Sequence, residues 1–363
     1  MRVQMAGSEW FRTRPGGLNR YFEDLYLALA ATNGVQVSAH AFGDPAGDGS
    51  SWGVPRSLPK RVWASTRTKV EPGGIVDRHF ALYGHGARSV ERSGSTPVIH
   101  FQGPWSLESK TAGQAEMLVA AKRAFERGRY RGARLAVVLC KEFGEILVHE
   151  FGFDAARVVV IPPGVNLERF RVAPIREERD RGPKSVLCVR RLERRMGIDV
   201  LIRAWRMVVD SGSDTASVPH LDIVGVGTEG AALRELVETL DLDTHVTFHG
   251  RLDDAGLADR YEQSELTVIP TRSLEGFGLI ALESLASGRA PIVSRVGGLP
   301  DAVEGLDGSL VVPPEDEDAL AGRILSALGG VVPDPASCRR HAERFDWKLV
   351  AARHVREYET LLA

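Results

Sequence analysis

Short apolar runs alternate with amphipathic segments of helical length along most of the chain. Residues 1–30 predict a strand, a glycine loop and a helix, because the apolar positions after the glycines recur at helical spacing. Later runs in the first half predict buried strands at Val35–Ala41, Val98–Phe101, Leu135–Leu139 and Val158–Ile161. Strands that alternate with helices are typical of a parallel, doubly wound α/β sheet.

This pattern is interrupted near the middle of the chain and then starts again. Residues 162–183 combine prolines, glycines and a charged run, which is the composition of a linker. The segment Asp346–Leu362 predicts a final amphipathic helix. Between them, strands are predicted at Ser185–Val189, Leu221–Val226, Val246–Phe248, Leu266–Ile269, Pro291–Val293 and Leu310–Val312, and helices at Ile198–Val209 and Ala231–Leu240.

The chain length also favours two domains. A chain of 363 residues exceeds what one compact core usually holds and suits two α/β domains. We therefore predict Rossmann-like domains over residues 1–172 and 173–345, followed by a terminal helix over 346–363.

Composition narrows the class of protein. The hydrophobic fraction of 43% and the charged fraction of 26% are typical of a soluble globular protein, and no apolar stretch is long enough to span a bilayer. The N-terminus predicts a strand rather than a signal peptide, so we expect a cytoplasmic protein. Cys140, Cys188 and Cys338 are too scattered for a metal site or a disulfide framework. The net charge of −2 does not indicate a nucleic-acid partner.

The densest chemical signal begins at Glu275. The run Glu275-Gly276-Phe277-Gly278-Leu279 lies between a predicted strand and a predicted helix, which is where open α/β sheets bind ligands. The glycines let a ligand approach the unpaired amides at the helix start, and Glu283 lies about two helical turns farther on. Such amides and carboxylates suit phosphates and sugar hydroxyls. Spacing alone leaves a second interpretation open, in which Glu275 complements the helix dipole and Glu283 is a solvated surface residue.

A cluster of arginines follows another predicted strand. The segment Arg190–Gly197 contains four arginines, and guanidinium groups grip phosphates in a bidentate manner. Its position at a strand end makes Arg191 a better candidate for phosphate binding than the neighbouring arginines. The alternative is that the arginines form an exposed charged run without a ligand.

Two weaker signals lie in the first half. Pro15-Gly16-Gly17 stands between the first strand and helix, where glycine amides can approach phosphate. His100 ends another strand and could contact a reacting sugar, although a core histidine is an equal alternative. Trp10, Gln102 and Trp105 are candidates for contacts with the molecule that would accept the sugar. The alternative for the two tryptophans, and the commoner one, is burial in the core.

Two apparent motifs are interpreted differently. Gly225–Gly230 fits the G-x-G-x-x-G dinucleotide pattern, but no acidic residue for a ribose follows the next strand, so we interpret Gly227 as part of a nucleotide loop rather than an NAD site. Asp241-Leu242-Asp243 resembles a D-x-D metal motif, but it lies in a helix-to-strand loop without other ligands nearby. We expect no metal.

Taken together, these segments resemble the retaining glycosyltransferases of family 4, which have the GT-B fold. Glu275-Gly276-Phe277-Gly278 with Glu283 matches the family's E-x7-E motif, and Arg190–Gly197 matches its GRL…KG segment. Ile161–Asn166 looks like the family's vipnGvD stretch, and Val296–Pro300 also falls in family order. The resemblance implies two Rossmann-like parallel-sheet domains facing a cleft, with the C-terminal helix crossing back to the first domain.

The resemblance also implies roles for these residues. The first domain would bind the acceptor, and the second would bind a nucleotide sugar, with uridine the commonest base. Glu275 and the amides of Phe277 and Gly278 would hold the transferred sugar, with Gly276 and Leu279 as adjoining donor contacts, and Glu283 would hold the ribose. The remaining implied donor contacts are Arg191, Arg195, Gly16 and Gly17 for the diphosphate, and Gly227, Arg251 and Leu252 around the nucleotide.

Two departures from the family pattern affect these roles. Met196 stands where the family usually has a diphosphate-binding lysine, and we expect Arg195 to replace it. Gln102 stands where the family often has a second histidine after His100, so either side chain could face the anomeric carbon.

The sequence thus predicts a glycosyltransferase that needs no metal or other cofactor and transfers a sugar to a glycan, natural-product or other hydroxyl acceptor. Three alternatives remain open at this point. They are a nucleotide-sugar epimerase or phosphorylase on the same fold, an NAD-dependent oxidoreductase motivated only by Gly225–Gly230, and a non-catalytic protein that binds a nucleotide sugar or makes weak contact with a membrane surface through the arginine-rich segment Lys122–Arg134.

Overall fold

The computed structural model describes residues 1–54, 57–111, 113–172, 184–211 and 219–363. Its internal contacts divide the chain into two compact units. The first comprises Met1–Gly164 together with Trp347–Ala363, and the second comprises Val165–Asp346. Residues 173–183, half of the linker predicted over 162–183, lie outside the described residues.

The first unit is a parallel sheet flanked by helices. Among the described residues its strands are ordered β3-β2-β1-β4-β5-β6-β7. The strands are β1 (Arg2–Glu9), β2 (Gln36–Phe42), β3 (Ser50–Ser51), β4 (Ile75–Arg78), β5 (Thr96–Phe101), β6 (Leu135–Val138) and β7 (Val158–Val160). The helices are α1 (Gly17–Ala30), α2 (Leu58–Ser65), α3 (Ala87–Arg92), α4 (Trp105–Thr111), α5 (Glu116–Tyr130), α6 (Lys141–Phe151) and, from the C-terminus, α14 (Trp347–Leu362).

The second unit repeats this architecture. Its described strands are ordered β10-β9-β8-β11-β12-β13, again all parallel. The strands are β8 (Ser185–Val189), β9 (His220–Val224), β10 (Val246–Gly250), β11 (Leu266–Ile269), β12 (Ala290–Ser294) and β13 (Val311–Val312). The helices are α7 (Ile198–Asp210), α8 (Gly230–Thr239), α9 (Asp254–Gln263), α10 (Leu279–Ala286), α11 (Leu299–Val303), α12 (Glu317–Leu328) and α13 (Pro335–Glu343).

Two parallel-sheet units of this kind confirm the predicted fold class. The boundary between them falls at 164/165, several residues before the predicted position at 172/173. The reason is a backbone hydrogen bond of 2.8 Å from Val165 N to the Phe345 carbonyl, with a parallel bridge to Asp346, which joins both ends of the second unit. Within the described ranges, no helix is both long and apolar enough to cross a bilayer.

Strand β4 was missed by the sequence pattern because only Ile75 and Val76 are apolar. Its polar residues are nevertheless buried, and Asp77 forms the centre of a hydrogen-bonded cluster. Asp77 Oδ2 lies 3.1 Å from His79 Nε2 and 3.0 Å from His100 Nε2, and it accepts a 2.6 Å hydrogen bond from the Tyr358 hydroxyl. Because Tyr358 belongs to α14, this cluster ties the C-terminal helix to the first sheet.

Two buried histidines of the first unit make its stability sensitive to acid. Burial and the nearby His100 lower the pKa of His79 to about 4 and that of His354 to about 3. Below about pH 6.5 these histidines take up protons in the unfolded chain while the folded protein keeps them neutral. Stability is therefore lost as the pH falls from about 6.5 towards 4.

We predict that His354→Leu reduces the slope of the unfolding free energy against pH by up to about 1.4 kcal/mol per pH unit, which is the contribution of one histidine. Urea unfolding measured at several pH values checks it. His149→Gln, at an exposed histidine of α6, is the control and should leave the slope unchanged. Equal slopes for wild type and His354→Leu would contradict the prediction.

Candidate active site

The Glu275 carboxylate lies in the loop that joins β11 to α10. Its side chain is 16% exposed and forms an ion pair with Arg190, whose guanidinium also contacts the buried Thr271 hydroxyl. Burial acts to raise the pKa of Glu275, but Arg190, with smaller contributions from Arg195 and Arg191, outweighs burial and lowers it. Glu275 is therefore ionised at neutral pH and ready to accept hydrogen bonds.

The backbone around Glu275 is held from two sides. Leu274, just before it, has a φ of 56°, a left-handed conformation that is unfavourable for leucine. Arg195 donates a 2.9 Å hydrogen bond to the Leu274 carbonyl and so stabilises this turn. On the other side, Gly298 N donates to the Glu275 carbonyl at 3.2 Å. Gly297 has a φ of 57°, and a Cβ built there would lie only 1.9 Å from the same carbonyl oxygen.

The start of α10 offers backbone donors next to the carboxylate. Gly278 caps the helix with a φ of 86°, and the first amides of a helix have no intrahelical partner. Phe277 is 2% exposed and packs against Phe345 at 5.6 Å, so its side chain anchors the loop to the core. Glu283, farther along α10, is partly exposed and accepts a 3.0 Å hydrogen bond from the Tyr261 hydroxyl.

The arginine segment contains one buried residue that the sequence pattern did not single out. Arg191, the arginine favoured by the sequence, is exposed, whereas Arg190 is buried against Glu275. Arg195 is occupied by the carbonyl of Leu274, and Met196 is buried. Arg190 was missed because strand-end position alone does not say which side chain turns inward.

Neighbouring strand ends complete this edge of the second sheet. A Cβ at Gly225 would lie 1.8 Å from the Arg190 carbonyl oxygen, and one at Gly227 would lie 2.3 Å from that of Leu192. Close packing of two loops therefore accounts for both glycines without a ligand. Arg251 is exposed and Leu252 half-buried just after β10, at the same sheet edge.

The site residues predicted in the first unit are placed at its strand ends. Gly16 and Gly17 lie at the start of α1, as expected. His100 is the penultimate residue of β5 and is 3% exposed, and its Nε2 faces Asp77. Gln102, two residues on, lies 3.2 Å from His79 Nδ1 through its amide nitrogen. The chain Asp77–His79–Gln102 was not anticipated, because β4 was not predicted.

The two tryptophans have different surroundings. Trp10 is 0% exposed, donates to the Ser50 carbonyl at 3.1 Å and packs on Phe22, so here it is a core residue rather than a surface for stacking a sugar. Trp105 begins α4, is only half-buried and has the Lys122 ammonium 4.5 Å from its ring centre.

Asp77, His79 and His100 each bring one nitrogen or oxygen atom within 4.8 Å of the others, a spacing that also suits a metal ion. The Asp77 oxygen, however, accepts hydrogen bonds from Tyr358 and His79. We interpret the cluster as a hydrogen-bond network.

Comparison with known proteins agrees with this architecture. The family model "Glycosyltransferase Family 4" matches residues 15–169, and "Glycosyl transferases group 1" matches residues 172–344. A D-inositol 3-phosphate glycosyltransferase of Streptomyces scabiei is 31% identical over 315 residues, which cover 80% of this chain and 68% of that protein. A second such enzyme, from Catenulispora acidiphila, is 33% identical over 57% of this chain and 51% of its own length.

Solved structures show the same fold. Sucrose-phosphate synthase from Thermosynechococcus elongatus has a TM-score of 0.74 at 24% identity, with 99% of both chains covered. Anabaena HepE in complex with UDP and glucose has a TM-score of 0.76 at 16% identity, covering 99% of this chain and 100% of that one. The protein belongs to glycosyltransferase family 4. It is a glycosyltransferase with the GT-B fold.

We predict that Gly297→Ala displaces Glu275 and lowers both stability and turnover. Alanine at a φ of 57° with its Cβ overlapping the Glu275 carbonyl should cost at least about 1–2 kcal/mol. Melting temperature and kcat check it. Gly322→Ala is the matched control, since a Cβ there contacts nothing within 4 Å in an exposed turn of α12, and it should stabilise slightly. Wild-type turnover in Gly297→Ala would contradict the prediction.

Proposed function

We propose that the protein is a retaining, metal-independent glycosyltransferase that transfers a sugar from a UDP-sugar to a hydroxyl group of a small-molecule or glycan acceptor in the cytoplasm. The observation that carries this proposal is the ionised Glu275 carboxylate beside the first amides of α10. A carboxylate accepts hydrogen bonds from sugar hydroxyls, and helix-start amides donate to oxygen atoms.

The donor is assigned to the second unit. Glu275 and the amides from Gly276 to Leu279 hold the transferred sugar, and Glu283 holds the ribose. Arg191, exposed and close to Glu275, binds the diphosphate, while Arg251 and Leu252 frame the base. The HepE structure, which contains UDP and glucose on the same fold, supports a uridine nucleotide as the donor.

The acceptor is assigned to the first unit, at the strand end that carries His100, Gln102 and Trp105. The relatives named D-inositol 3-phosphate glycosyltransferases support a polyhydroxylated acceptor. The chain spans only 51–68% of the length of these two relatives, so their particular acceptor is not transferred to it.

The reaction is a front-face displacement with retention. The acceptor oxygen bonds to the anomeric carbon as the bond to the diphosphate oxygen breaks, and that oxygen takes the acceptor's proton. Helix-start amides and Arg191 stabilise the charge that develops on the diphosphate. No residue of the protein is required as a covalent nucleophile in this mechanism.

The contacts of the arginine-rich segment favour catalysis over a membrane-surface role. Arg123 pairs with Glu150, and Arg129 donates to the carbonyls of Ala81, Tyr83 and Gly84. These arginines therefore make contacts within the first unit.

The glycine loop Gly225–Gly230 is explained by close packing against Arg190 and Leu192, so its glycine pattern no longer supports an NAD site.

Thermal unfolding with added nucleotides tests the donor assignment. UDP at 100 times its Kd should stabilise the protein by about 2.7 kcal/mol, a rise of a few degrees in melting temperature. GDP and NAD should have smaller effects, and EDTA should not weaken the effect of UDP. A rise with NAD alone, or loss of the UDP effect in EDTA, would contradict the proposal.

Substitution separates the roles of the two glutamates. Glu275→Gln keeps the shape but removes the charge, so kcat should fall by about 100- to 1,000-fold while the affinity for UDP stays near wild type. Glu283→Gln should chiefly raise the KM for the donor. Steady-state kinetics check both, with Glu238→Gln on the exposed face of α8 as the control. Unchanged kcat in Glu275→Gln would remove that residue from the mechanism.

A further inference from the structure

Among the arginines of the segment Arg190–Gly197, Arg190 alone is buried. It directly follows β8, and its backbone amide donates to the Val224 carbonyl at 2.9 Å, so it still belongs to the sheet. The side chain is 5% exposed and turns towards the neighbouring β11 loop, where it contacts Thr271 and Glu275. This position is fixed by sheet geometry rather than by a flexible loop.

The Arg190 guanidinium also keeps unused hydrogen-bonding capacity. One of its terminal nitrogens contacts both Thr271 and Glu275, while its buried Nε–H makes no hydrogen bond to any described residue. A buried carboxylate without a cation would favour its neutral form, so Glu275 depends on Arg190 for its charge.

Position 196 does not provide a cation. In the GRL…KG segment that this region resembles, Met196 replaces the lysine and Arg190 replaces the first glycine. Met196 is 3% exposed and neutral. The next residue, Gly197, approaches the Pro270 carbonyl so closely that a Cβ would lie 1.9 Å from it. The backbone beside position 196 therefore packs against the β11 loop that Arg190 contacts, while position 196 itself gives that loop no positive charge.

We propose that Arg190 is the positioning residue that holds Glu275 for donor binding. Its action passes through Glu275, in contrast to Arg191, which is exposed to the ligand. This inference rests on the proposed function of the Glu275 loop in binding a nucleotide sugar.

The proposal predicts a pH signature. The charged groups that act on Glu275 are Arg190, Arg195 and Arg191, and Arg190 has the largest effect of the three. Without Arg190 the pKa of Glu275 rises, so activity that requires the carboxylate is lost at a higher pH. A residue with a merely structural role would lower activity without moving this limb of the pH profile.

The experiment compares the pH dependence of kcat/KM for transfer from a UDP-sugar in wild type and variants. In Arg190→Met the acidic limb should move up by about 1–3 pH units, and kcat/KM at neutral pH should fall at least 10-fold. Arg203→Met, at an exposed arginine of α7 paired with Glu317, should change neither quantity.

An unmoved acidic limb in Arg190→Met overturns the proposal. If Arg190→Met does not fold, Arg190→Lys is the deciding variant. It keeps the positive charge, so the acidic limb of the pH profile should stay at its wild-type position while kcat falls. A moved limb in Arg190→Lys would also overturn the proposal. Failure of the wild type to transfer from any nucleotide sugar would instead refute the proposed function.

Discussion

The burial of one carboxylate, Glu275, is the constraint on which the donor site depends. A buried anion is unfavourable unless cations and hydrogen-bond donors compensate it, and here Arg190 provides the main compensation. That requirement links β8 to β11, two adjacent strands far apart in the sequence. The positive φ of Leu274 and the close approach of Gly297 are further consequences, because the loop must bend sharply to bring the carboxylate beside the start of α10.

The first unit is organised around a different buried carboxylate, Asp77. Its oxygen accepts from Tyr358 of the C-terminal helix and lies next to His79 and His100, so one cluster joins β4, β5 and α14. Through His79 the same cluster reaches Gln102 at the end of β5. The interactions that bring the C-terminal helix back to the first sheet are thus shared with the strand end to which we assign the acceptor.

Much of this could be predicted from the sequence, for identifiable reasons. Strands such as Leu266–Ile269 are continuous apolar runs, and the Glu275–Leu279 motif needs only local chemistry to be placed at a strand-to-helix junction. Three features could not be predicted because they are tertiary. Strand β4 combines apolar Ile75 and Val76 with buried polar residues, Arg190 rather than Arg191 turns inward, and Trp10 is enclosed by core residues. None of these has a signature in the spacing of residues along the chain.

A crystal structure of the protein with UDP is the decisive experiment on the donor site. We expect the ribose hydroxyls at the Glu283 carboxylate and the diphosphate near Arg191 and the first amides of α10, with Arg190 still paired to Glu275. UDP bound in the Gly225–Gly230 loop without contact to Glu283, or elsewhere on the protein, would contradict the assignment of the donor site.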